Sequence, residues 1–99
     1  MTITSKNDGA KTTFILDGKL DTGTAKLLQE HIFPAVEAGG DVFLDFSALR
    51  YVSSAGLRVL LMGEKIAKEK NATLTLTNVS EEVMEVFDMT GFTNVLNIM

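Results

Sequence analysis

The chain has 99 residues, 45% hydrophobic and 22% charged, a balance that supports one globular domain over residues 1–99 and excludes a disordered chain. It has no cysteine, which rules out disulfides and thiolate metal sites and is compatible with a reducing compartment. A formal net charge of −4 disfavours nucleic acid and anionic membranes as direct partners and favours a protein surface bearing basic residues. Met1–Asp8 shows no basic segment followed by an apolar run, and no apolar stretch approaches the roughly 18 residues that span a bilayer. The expectation is a soluble cytoplasmic protein.

Turn signals divide the chain into short elements. Thr2–Ser5 and Lys11–Leu16 are β-prone and flank Asp8-Gly9, which predicts a hairpin. Asp17-Gly18 ends the second strand or bulges it. Ala25, Leu28, Ile32, Ala35 and Val36 fall at helical spacing, so Thr24–Ala38 reads as a helix. Thr22 or Thr24 is placed to cap it and Gly39-Gly40 to end it. Pro34 removes an interior hydrogen bond, which predicts a kink or break near Ile32–Phe33. The apolar run Val42–Phe46 suits a strand buried on both faces, and Ser47–Arg50 a turn or short helical piece. Ser54–Lys70 reads as the longest helix, with Leu57, Leu60 and Leu61 on its apolar side and lysines in its last turn. Ala72–Thr77 reads as a strand, alternating as Thr73-Leu74-Thr75-Leu76-Thr77. Asn78 or Ser80 caps a third helix that runs through Met89 and ends at Gly91, and Val95–Ile98 forms a last short strand. The order β-β-α-β-α-β-α-β predicts an α/β sandwich, a mixed sheet of four or five strands with helices packed on it.

Few residues offer chemistry. His31 is the only histidine, and with no cysteine it lacks the companions of a metal site. A Ser54–His31 nucleophile and base pair has no Gly-x-Ser-x-Gly elbow to support it. Asp17, Asp21 and Asp45 lie near strand ends, where they serve either as turn and cap residues or as an acidic Mg²⁺ cluster. No phosphate loop is present. There remains Ser53-Ser54-Ala55-Gly56, where a strand turns into a helix. Serine there caps the helix, and a phosphate there would meet free N–H groups and the positive helix end. Gly56, costly in a helix by up to about 1 kcal/mol, would let another protein approach the serine closely.

The run Asp45-Phe46-Ser47-Ala48-Leu49-Arg50-Tyr51-Val52-Ser53-Ser54-Ala55-Gly56-Leu57-Arg58-Val59-Leu60-Leu61 resembles the signature of the anti-sigma factor antagonist family, the bacterial STAS domain. Gly18-Lys19-Leu20-Asp21 with Thr24-Ala25, and Val86–Phe92, resemble two further segments of that family in the same order. The resemblance implies a regulatory domain that is not an enzyme and needs no cofactor or metal. It implies binding to an anti-sigma factor that is also a serine kinase, with release of the sigma factor. Phosphorylation of one serine by that kinase breaks the complex, and a metal-dependent serine/threonine phosphatase reverses it. The matching serine is Ser54, two residues before the glycine, with Ser53 a second acceptor; many members carry Asp where Ser53 stands. The implied contact surface comprises Asp21, Thr22, Gly23 and Thr24 with Ser53, Ser54, Gly56, Leu57 and Arg58, on a chain that is a monomer when unbound. The alternative is a scaffold or subunit of a lipid-transport or stress-sensing complex without switching at Ser54.

Overall fold

The architecture follows from one hairpin and three strand–helix–strand crossovers in a computed structural model that describes residues 1–99. β1 (Thr2–Asp8) and β2 (Lys11–Leu20) are antiparallel. Asp8 faces Lys11, so the turn is Gly9-Ala10, with Gly9 at φ 65°. Then come α1 (Thr22–Glu37), β3 (Asp41–Val52), α2 (Ser54–Glu69), β4 (Thr73–Thr77), α3 (Glu81–Thr90), a short 3₁₀ turn at Phe92–Asn94, and β5 (Asn97–Ile98). The sheet order is β1-β2-β3-β4-β5, and every pair after the first is parallel. Because each crossover steps the same way, right-handed connections put all three helices on one face. The expected mixed sheet is thus five-stranded.

β3 shows which face. Val42, Leu44 and Phe46 are buried while Phe43 and Asp45 are only half-buried. The expectation of burial on both faces is therefore corrected: the strand alternates, as in a sheet covered on one side. On the covered side Phe46 meets Phe87 of α3 with ring centroids 6.3 Å apart. α1 supplies Leu28, Ile32 and Val36, all fully buried. Gly63 lets α2 approach α1, since a Cβ there would lie 3.1 Å from Ile32 Cδ1. No helix is long and apolar enough to cross a membrane.

Several boundaries depart from expectation: β1 runs on past Ser5 to Asp8, and β5 starts at Asn97 rather than Val95. β2 continues to Leu20, and Ser47–Arg50 is strand rather than turn. β3 carries one extra residue between Asp45 and Ala48 and another between Leu49 and Tyr51, relative to β2. Such bulges erase alternation, which is why the segment reads as irregular. α1 is not broken at Pro34 but runs on to Glu37.

Candidate functional site

The parallel pair β2–β3 delivers two helix starts to the same place. Leu20 and Val52 are in register at the ends of these strands. The Ser53 N–H donates to the Leu20 carbonyl at 2.8 Å. Asp21 and Ser53, the caps of α1 and α2, thus stand on adjoining chain ends. This is the carboxyl edge of the parallel strands, where α/β folds gather their ligands.

On the α1 side the cap is Asp21, not Thr22 or Thr24 as expected. The Thr24 N–H donates to Asp21 Oδ1 at 3.0 Å, and the Asp21 N–H donates to Thr24 Oγ1 at 2.9 Å. This is a reciprocal capping box with threonine in the third helical position. The Thr24 hydroxyl, 3.0 Å from Asp21 Oδ1, and then the Thr24 N–H hold the Asp21 carboxyl below the usual carboxylate range. The group is therefore an anion at neutral pH. Thr22 and Gly23 follow, exposed, with N–H groups that α1 itself cannot satisfy.

On the α2 side the two serines divide the work. The Gly56 N–H donates to Ser53 Oγ at 3.2 Å, so Ser53 caps the helix. Ser54 is the first helical residue and is exposed. Arg58, one turn further and also exposed, shares its face. Tyr51, just before the turn, is exposed as well, a neighbour that sequence reasoning did not single out.

Gly56 and Leu57 are buried beneath this surface. A Cβ on Gly56 would lie 2.5 Å from Leu20 Cγ and 3.2 Å from the Leu20 carbonyl oxygen. The glycine admits the end of β2, not an outside protein, which corrects the reason expected for it. Together Leu20, Gly56 and the Ser53–Leu20 bond fix the two helix starts against each other.

The other sequence candidates fall elsewhere. His31 lies ten residues into α1, about 15 Å along its axis from Asp21, and its Nδ1 is 2.9 Å from the Leu27 carbonyl. It is not brought to Ser54. Asp17 is an exposed strand residue opposite Thr2. Asp45 Oδ1 accepts the Ser47 N–H at 2.9 Å and the Asn78 amide at 3.1 Å. Burial pushes the Asp45 carboxyl up, but these two donors, together with the Ser47 hydroxyl and the charge of Lys6, outweigh it and hold it low. It staples the β3 bulge to the β4–α3 turn. No three acidic or histidine side chains stand close enough to share a metal ion.

The whole arrangement has known counterparts. The STAS domain family model matches residues 2–99. The anti-sigma-B factor antagonist of Bacillus subtilis (strain 168) is 32% identical over 81 residues, covering 82% of this chain and 74% of its own. Among solved structures, the anti-sigma factor antagonist SpoIIAA in its unphosphorylated form superposes with a TM-score of 0.77 at 18% identity, over 99% of this chain and 87% of that one. The Bacillus cell fate determinant SpoIIAA in its phosphorylated form does so with a TM-score of 0.75 at 18% identity, over 99% and 91%. At such identity these two structures speak to the fold, while the family match and the Bacillus relative speak to descent. The chain belongs to the STAS domain family, among the anti-sigma factor antagonists, which are regulatory binding proteins rather than enzymes.

Proposed function

We propose that this protein binds an anti-sigma factor with serine kinase activity, so freeing a sigma factor, and that phosphorylation of Ser54 switches the binding off. The observation that carries this reading is the division of labour at the start of α2. Ser53 is occupied as the cap, whereas Ser54 is exposed with no structural duty in the hydrogen-bond network. The names borne by the relatives, and the existence of a phosphorylated form in one of them, support it.

In the switching step Ser54 Oγ attacks the γ-phosphorus of ATP, its proton passes to the kinase, and ADP leaves. The product carries roughly −1.5 to −2 charges at neutral pH. The free N–H groups of the first α2 turn and the positive helix end accommodate that charge, so the fold tolerates it. A partner surface matched to a neutral hydroxyl does not. Asp21, already anionic, adds repulsion toward any acidic partner group drawn near the phosphate. A phosphatase restores the hydroxyl with water as the nucleophile.

The test is titration of Ser54→Asp with the cognate anti-sigma factor. The variant is expected to keep the native melting temperature and to bind about tenfold or more weakly, equivalent to 1.4 kcal/mol or more. Unchanged affinity contradicts the proposal.

A further inference from the structure

A phosphate on Ser54 would meet a shortage of donors at the start of α2. It brings three acceptor oxygens and roughly −1.5 to −2 charges at neutral pH. A helix start has four N–H groups that the helix itself cannot satisfy. Here two of them are already spent. The Ser53 N–H donates to the Leu20 carbonyl at 2.8 Å, and the Gly56 N–H donates to Ser53 Oγ at 3.2 Å. Only the Ser54 and Ala55 N–H groups are left. Asp21, at the adjoining helix start, is an anion and supplies no donor.

Arg58 is placed to make up the difference. It stands one turn after Ser54 in the unbroken helix Ser54–Glu69, and both residues are exposed. Cβ atoms at this spacing are about 5–6 Å apart. Side chains on a helix tilt toward its amino end, so a long one at position 58 leans back over the turn that carries Ser54. An anion one turn ahead of a cation is also the favoured order along a helix.

The guanidinium is uncommitted on its own helix. The residues one turn away from Arg58 on either side are Ser54, Ala55, Leu61 and Met62. None carries a charge, so α2 gives Arg58 no ion-pair partner until Ser54 is modified. Glu64, the first carboxylate along α2, is buried on the core side. The planar fork of a guanidinium matches two phosphate oxygens at once.

We propose that Arg58 holds the Ser54 phosphate in cis, completing a cradle with the Ser54 and Ala55 N–H groups. This inference rests on Ser54 as the modified residue and adds a second effect to the switch. Modification brings negative charge to the contact surface and at the same time withdraws a cation from it.

The test uses the full chain with phosphoserine built in at position 54 during synthesis, so that no kinase is needed. A ³¹P titration is expected to place the second phosphate pKa about half a unit or more below its ordinary value of about 6. Arg58→Gln is expected to undo most of that shift. Arg58→Lys, which keeps the charge without the fork, is expected to fall between the two. Lys19→Gln and Arg50→Gln remove the exposed cations of the strands that lead to this edge and are expected to leave the value unchanged. In ¹H–¹⁵N spectra the Arg58 Nε–H signal is expected to move as the phosphate ionises. Native peak dispersion shows that each variant folds. A phosphate pKa indifferent to Arg58→Gln, one equally sensitive to the two control variants, or an Arg58 Nε–H signal that the phosphate does not move overturns the proposal. Because the phosphate is installed and not transferred, such a failure leaves the switch at Ser54 standing, whereas a kinase that leaves Ser54 unmodified counts against the switch itself.

Discussion

Gly56 shows how much one residue can fix. It is buried, and an added methyl would sit 2.5 Å from Leu20 Cγ. Overpacking of this kind costs about 1–3 kcal/mol, against a helix-propensity gain of up to about 1 kcal/mol. Gly56→Ala is therefore expected to destabilise the fold in a urea titration despite being the better helix former; a stabilised variant would contradict the packing described. Ser53 is the complementary case. Ser53→Ala removes the bond from the Gly56 N–H and is expected to cost about 1 kcal/mol, while the exposed Ser54 hydroxyl is expected to stay open to the proposed phosphorylation. The serines and the glycine stood out in the sequence as a helix start. That Ser53 caps and Ser54 is left over did not, because both fit the position. The partner of Gly56 was hidden for a different reason: Leu20 is remote in sequence and meets it only through the β2–β3 register.

At the scale of elements, α1 is the instructive helix. Pro34 argues for a break, yet the helix continues to Glu37, held by the burial of Leu28, Ile32 and Val36. Local preference yields to tertiary packing, as it does where an apolar face is long enough. Pro34→Ala restores the donor to the Glu30 carbonyl and is expected to stabilise the protein by about 1–3 kcal/mol in the same titration. A loss of stability would show that the proline is needed for the helix path. The strands divide in the same way. β4 alternates cleanly and was legible, with its start one residue later than its β-prone run. β3 was legible only as far as Phe46, because its two extra residues relative to β2 scramble the periodicity beyond it. Those bulges bring Val52 level with Leu20 and so set where Ser54 emerges. The part of the strand hardest to read is the part that positions the site.

For the whole molecule, pH response follows from where its unusual carboxyls lie. Asp21 and Asp45 have lowered pKa values in the fold. Their contribution is present above the unfolded value of 3.8 and is lost as pH falls through the lower folded values. Glu64 on α2 behaves oppositely. Burial raises its pKa, with Lys68 offsetting part of the effect, so the folded state holds the proton more tightly than the unfolded state. Its ionisation burdens the fold at neutral pH, and that burden disappears as pH falls from the folded value through 4.5. Glu64→Gln is expected to raise the melting temperature at pH 7 and to have progressively less effect toward pH 4. A constant difference across that range would assign the effect to packing instead. The α/β class, the element order and the family were all readable from residue patterns. The one-sided sheet was not, since it depends on strand order, which no local pattern encodes.

The functional account turns on Ser54 as substrate. The direct measurement is intact-mass and peptide mass spectrometry of the protein after incubation with the cognate anti-sigma kinase and ATP. One phosphate, located on Ser54 and absent from Ser54→Ala, is the predicted result. Phosphate on Ser53 alone, or on neither serine, would contradict the account, and the latter would favour a scaffold role without switching.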